Sequence, residues 1–232
     1  MLVNMTSEEE AYTSVKNLAL EPKKKLETKE AELPVLHMVL GQKNEGFLTA
    51  GQVQFVARTG NYRKAGLPYT GALRILKVAL SYDYLWINIR VKGGAYGCMS
   101  GFGVMGASYF TSYRDPNLGA TNEVYEGVTD YVKNFHVDER DMTKYVIGTI
   151  SEIDTPLTAR SKGLRSMTAW LSHTTQEEVQ KERDEILNAD TTSMQALAPL
   201  IEAVLLNDAI CVVGSEPAVN KEKELFDNVL PL

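Results

Sequence analysis

An α+β fold, an antiparallel-rich sheet packed against a layer of helices, is the architecture this sequence predicts. Strand-type alternation gathers between Gly46 and Tyr113, and helix-type periodicity takes over from Asn117. Between the strand segments, Thr70 to Ile89 is apolar over most of its circumference, the pattern of a helix buried against a sheet. The chain has 232 residues, 44% of them hydrophobic and 23% charged, enough for one large domain or two small ones. One core is the simpler organisation.

Ser7 to Leu20 predicts a helix, with Ser7 and Glu10 spaced as a capping box and Pro22 as its stop. Lys23 to Glu32 is a mixed-charge run in which Glu offsets Lys, so it reads as a solvated linker or exposed helix. Residues 1–33 are therefore expected to be an appendage, and 34–232 the main domain. Alternation from Gly46 to Ala57 predicts one strand with both faces partly covered. Gly60, Gly66 and Pro68 punctuate the connection that follows, along which lie Arg58, Arg63 and Lys64.

The helix from Thr70 to Ile89 presents Leu73, Leu76, Leu80 and Tyr84 on one face. Ile75, Ala79, Tyr82, Trp86 and Ile89 lie on another, and only Arg74, Lys77, Ser81 and Asn88 make a polar stripe. Its Tyr and Trp residues are expected in the core. Ala95–Phe102 and Val104–Tyr113 predict two strands hinged near Gly103 and Gly106. Gly101 to Gly106 matches GxGxxG by letter but lacks the strand-before, helix-after setting of a dinucleotide cradle, so a glycine-bent hairpin is expected. Helices follow from Asn117 or Thr121 to Asn134, Asp138 to Ile153, Pro156 to Leu171, Thr175 to Asn188 and Thr192 to Leu206. Ile210–Gly214 is a short apolar strand before a helical or irregular tail.

A net charge of -6 and a pI near 5.2 argue against a nucleic-acid surface, fit a cytoplasmic protein, and hint at basic peptides as ligands. Cys98 and Cys211 are far apart and lack CxxC companions, so two reduced, buried thiols are expected rather than a disulfide or zinc knuckle. Apolar runs fall short of the roughly 18 residues a membrane span needs.

The densest concentration of chemistry is Ile89-Arg90-Val91-Lys92-Gly93-Gly94-Ala95-Tyr96-Gly97. Gly93 and Gly94 allow a sharp helix stop and close backbone approach to a ligand. Arg90 offers a permanently charged planar fork and Tyr96 a phenolic hydroxyl, both suited to carbonyl or carboxylate oxygens. A capped helix with a snorkelling Arg and a half-buried Tyr is the structural alternative.

With Asn44-Glu45-Gly46-Phe47, Gln54-Phe55-Val56-Ala57 and Leu67-Pro68-Tyr69-Thr70-Gly71-Ala72-Leu73, this stretch resembles the C-terminal half of the insulinase-like (pitrilysin, M16) zinc metallopeptidases. The branch it is similar to includes presequence protease and falcilysin. The resemblance implies that Arg90 and Tyr96 reach substrate near the metal and act in catalysis, with Arg90, Gly93, Gly94 and Tyr96 binding the peptide. It also implies a catalytic His-x-x-Glu-His motif, which this sequence lacks. Only His37, His136 and His173 are present, and in His136-Val137-Asp138-Glu139-Arg140 the second histidine is replaced by a guanidinium that cannot ligate zinc. The expectation is a non-catalytic domain that binds no metal itself. It would pair with an N-terminal, zinc-bearing half of the same protein and hold unfolded peptide, with neither nucleic acid nor membrane as partner. A purely structural or peptide-binding module is the alternative.

Overall fold

A computed structural model of the chain describes residues 3–26, 35, 41 and 43–232. His37 and the charged run beyond residue 26 lie outside the described residues. One sheet is built from β1 (Glu45–Thr49), β2 (Gln54–Asn61), β3 (Gly97–Phe102), β4 (Ala107–Asp115), β5 (Ala209–Ser215) and β6 (Asn228–Pro231). Its spatial order is β3-β4-β2-β5-β1-β6. The β3–β4, β4–β2 and β2–β5 pairs are antiparallel, while β1 runs parallel to both β5 and β6.

Strand alternation divides the sheet into two unlike faces. Val56, Ser108, Phe110, Ser112, Ile210 and Val212 turn inward and are buried. Helices cover that side: α2 (Ala72–Ala79), α3 (Gly119–Glu126), α4 (Val128–Lys133), α5 (Glu139–Ile153) and, nearer the C-terminus, a helix at Ala198–Leu205. Leu73, Leu76, Leu80, Leu85, Ile89, Tyr125, Val132, Ile201 and Val204 close the core from the helical side. Each such side chain contributes about 1.5–3 kcal/mol when removed from water. The opposite face carries the alternate strand residues. Across it run Leu230, Phe47, Val213 and Phe55 as one lateral row on β6, β1, β5 and β2. Leu230 and Phe55 are 43% and 47% exposed.

The helical series is completed by α1 (Glu9–Lys25), α6 (Ala159–Leu171), α7 (Gln176–Leu187), α8 (Thr191–Gln195), α9 (the Ala198–Leu205 helix) and α10 (Glu216–Lys221). The chain divides into two compact units, Met1–Leu40 with Asp154–Gln180, and Gly41–Ile153 with Lys181–Leu232. In the first, Asn4 Nδ2 donates to the Gly163 carbonyl of α6 at 2.6 Å.

Several local expectations are corrected. α1 runs through Pro22, because in an exposed last turn the carbonyl that proline leaves without a donor stays hydrated. The expected strand from Gly46 to Ala57 is two strands parted by the turn at Ala50–Val53, where the Gly51 N–H donates to Thr49 Oγ1 at 3.3 Å. The even spacing keeps Phe47 and Phe55 on the same face, so the alternation continues in phase and hides the break. The helix expected to end at Ile89 continues past α2 through two wider, π-type stretches, Leu80–Tyr84 and Trp86–Lys92. That widening rotates Tyr82 and Trp86 out of the core, to 71% and 38% exposure. Arg58, placed on a surface connection, instead lies inside β2 and is buried. Cys98 is half-buried and Cys211 exposed. The C-terminal tail contains β6, whose four residues are too few to show a period.

Candidate functional site

The π-type rod ends where Gly94 takes φ +79°, a conformation that suits glycine. Gly94 N–H donates to the Arg90 carbonyl at 3.0 Å and Ala95 N–H to the Ile89 carbonyl at 3.1 Å. A Cβ on Gly93 would lie 2.5 Å from the Ile89 carbonyl oxygen, so this position also requires a bare backbone. The chain then enters β3, and Tyr96 is fixed by its N–H donating to the Arg114 carbonyl at 3.2 Å.

This turn brings Arg90 and Tyr96 together. The Arg90 guanidinium carbon lies 4.1 Å from the centre of the Trp86 ring and 5.9 Å from that of Tyr96. Stacking on aromatic faces holds a guanidinium by cation–π attraction while leaving its in-plane N–H donors free. Tyr96 is 58% exposed and packs at 5.4 Å, ring centre to ring centre, against Tyr113. Gly93 and Gly94 lie between the two side chains in sequence and set the turn, so all four residues singled out from the sequence share one corner. That corner adjoins the outward sheet face, where Tyr113 lies over Gly97 and Tyr109 over Gly101. A Cβ on either glycine would approach the ring opposite to 2.4 or 2.5 Å.

Trp86, Tyr113 and Arg114 were not found from the sequence. Arg114 follows from a β-bulge: Gln54 pairs Asp115 and Val56 pairs Ser112, so Phe55 alone opposes both Tyr113 and Arg114. The extra residue returns Asp115 to the buried side, where it accepts from the Asn117 N–H at 2.9 Å and the Thr121 hydroxyl at 2.7 Å. Arg114 is left outside with φ +49°. Behind the corner, Cys98 has its thiol pushed up to about 11 by burial, with Arg90 pulling the other way.

In the Gly101 to Gly106 stretch, Gly101 and Phe102 end β3 and Gly103 to Gly106 make its hairpin turn to β4, closed by Gly103 N–H donating to Ala107 O at 2.8 Å and Gly106 N–H to Gly103 O at 2.8 Å. His136 stands in the connection ahead of α5, and His173 in the turn after α6 with φ +55°. No group of three or more His, Cys, Asp or Glu able to hold a metal occurs among the described residues.

Residues 44–216 match the family model described as the PreP C-terminal domain. The chain is 43% identical over 229 residues to protein HypA of Clostridium perfringens, covering 99% of this chain and 24% of that protein. It is 32% identical over 240 residues to presequence protease 1, chloroplastic/mitochondrial, of Arabidopsis thaliana, covering 98% of this chain and 22% of the relative. It thus spans about a quarter of the length of these relatives. Among solved structures, the peptidase M16 inactive domain from Pseudomonas fluorescens aligns with TM-score 0.60 at 14% identity, over 88% of this chain and 51% of that one. Pitrilysin aligns with TM-score 0.58 at 11% identity, over 87% of this chain and 22% of its own. The fold is that of an M16 peptidase domain. Within that class, the chain belongs to the presequence-protease C-terminal domain family.

Proposed function

We propose that this chain is the non-catalytic, substrate-holding part of a presequence-protease-like zinc peptidase that degrades unfolded peptides in a closed chamber. The observation that carries the reading is the corner itself. Arg90 and Tyr96 are both exposed, are held by stacking, and sit on a glycine turn beside the outward sheet face. In this reading Arg90 holds a substrate carbonyl, and the Tyr96 hydroxyl donates to a carbonyl or a developing oxyanion. Donors aimed where negative charge develops lower the barrier more than they tighten ground-state binding. Gly93 and Gly94 let peptide backbone approach. Aromatic and aliphatic side chains of that face offer sequence-tolerant contact, and the edge strand β3 offers backbone groups for an added strand.

The metal belongs, in this reading, to an N-terminal half of the parent protein, which is also this chain's partner. In this reading the parent works in the cytoplasm. No described helix is long and apolar enough to cross a membrane. The test is made in the complete parent protein. Arg90→Ala and Tyr96→Phe should each lower kcat/KM on a fluorogenic peptide about a hundredfold, the usual loss for one transition-state donor. Zinc content and folding should be unchanged. Full activity in both variants would take these residues out of the mechanism.

A further inference from the structure

The corner holds more charge than a carbonyl ligand requires. Arg114, on the bulge of β4, places its guanidinium carbon 5.9 Å from the centre of the Tyr96 ring, the same distance as Arg90. Both guanidiniums therefore neighbour the Tyr96 ring. Neither guanidinium has a carboxylate or carbonyl partner among the described residues. The nearby acid, Asp115, is buried on the other side of the sheet and occupied by Asn117 and Thr121.

Two features of the backbone hold Arg114 in this place. Without the bulge, strict alternation from Ser112 would send Arg114 inward, toward the core that Ser112 and Phe110 face. Its φ of +49° is a conformation that side chains other than glycine, Asn and Asp seldom adopt, and it persists only where the surroundings enforce it. Here the Arg114 carbonyl is the acceptor that fixes the Tyr96 N–H. Strained backbone thus locks the second arginine to the tyrosine.

From this arrangement we propose that Arg90 and Arg114 form a two-guanidinium subsite around Tyr96 that binds a carboxylate of the peptide. The proposal rests on the peptide-holding reading above and narrows its ligand. A neutral carbonyl can accept from both arginines but carries no net charge to offset either cation when a peptide covers them. A carboxylate has two oxygens for the two planar forks, and charge-assisted bonds of this kind are the stronger ones. The local preference therefore runs opposite to the basic ligands suggested by the chain's net charge of -6. The carboxylate comes either from a peptide C-terminus or from an Asp or Glu side chain.

The experiment is a fluorescence-anisotropy titration of the full 232-residue chain with four labelled unfolded peptides of one sequence. They carry a free or amidated C-terminus, each with Glu or Gln at one internal position. A free carboxylate should tighten binding about tenfold over its neutral counterpart, and the advantage should shrink as salt is raised. Whichever substitution produces the difference identifies the source. Arg114→Asn, which tolerates the left-handed backbone, should erase the difference while still binding the neutral peptides, and Arg114→Lys should restore part of it. Equal affinity for all four peptides would overturn the carboxylate subsite alone. Failure of every peptide to bind would overturn the peptide-holding reading with it.

Discussion

The side-chain amide of Asn117 donates to the Gly93 carbonyl at 2.6 Å, tying the loop after β4 to the end of the helix that carries Arg90. Asn117 is itself oriented from below, because its N–H donates to Asp115 Oδ1 at 2.9 Å and the buried Asp115 also accepts from Thr121. Core, loop and glycine turn thus form one hydrogen-bonded path.

Asn117→Ala removes the donor to Gly93 and should cost about 1 kcal/mol of stability, the usual net worth of such a bond. The larger effect is expected in peptide binding, since Gly93 and Gly94 set the separation of Arg90 and Tyr96. Denaturant unfolding and a peptide titration on the same variant separate the two effects. A stability loss with unchanged affinity would show that the turn keeps its shape without this tether.

Glycines of similar appearance in the sequence should respond oppositely to alanine. At Gly97 a Cβ would lie 2.4 Å from the Tyr113 ring, so Gly97→Ala forces the ring away and should destabilise by about 1–3 kcal/mol. At Gly148, within α5, the nearest atom is Val78 Cγ1 at 3.8 Å, an ordinary contact. Gly148→Ala should therefore stabilise, by about 0.5–1 kcal/mol, through helix propensity and a less flexible unfolded chain. Urea midpoints decide both, and a stabilised Gly97→Ala would mean that Tyr113 does not rest on its glycine.

How far the sequence disclosed this molecule depends on whether the information is local. Helices α5 and α7 begin near their expected caps: Asp138 Oδ1 accepts from the Asp141 N–H, and Thr175 exchanges hydrogen bonds with Glu178. The glycine turn beside Arg90 was legible for the same reason, since Gly93 and Gly94 act within one turn of chain. What escaped depends on partners distant in sequence. The break between β1 and β2 exists because β5, more than 150 residues later, pairs between them. Arg114 joins the corner through a bulge defined only by its register against β2. Trp86 is exposed because π-type turns shift the helical period, and period was the basis for placing it in the core.

The two thiols should differ in reactivity. Burial raises both, Cys98 to about 11, while Cys211 on β5 is the more exposed. At pH 8 only about one Cys98 in a thousand is a thiolate, so alkylation by iodoacetamide should label Cys211 first. The Cys98 rate should climb about tenfold per pH unit from 8 to 10 as the thiolate fraction grows. Because Arg90 lowers this thiol against burial, Arg90→Ala should slow Cys98 further at fixed pH. Mass spectrometry of timed samples measures each site, and a Cys98 rate that is flat with pH would contradict the burial argument.

Arg58 gives the sharpest prediction about stability. Its guanidinium, only 5% exposed, donates to Asn122 Oδ1 at 3.0 Å and to the Leu205 carbonyl at 3.2 Å. It also pairs with Glu126 at 2.8 Å and Asp208 at 3.0 Å, whose side chains are 53% and 68% exposed. The two ends of these ion pairs are therefore unequal. Deleting either carboxylate leaves Arg58 with three partners, and the lost acid was largely hydrated, so Glu126→Gln or Asp208→Asn should each cost less than about 1 kcal/mol. Asn also suits the backbone of Asp208, which has φ +46°. Arg58→Ala instead empties a buried volume between β2, α3 and α9 and strands two acceptors, for an expected loss of about 3–5 kcal/mol. Arg58→Met refills the volume without the hydrogen bonds and should fall between. Denaturant unfolding of the four variants tests the order, and a loss from either carboxylate change as large as that from Arg58→Ala would show that the ion pairs, rather than the buried hydrogen bonds and packing, hold this junction.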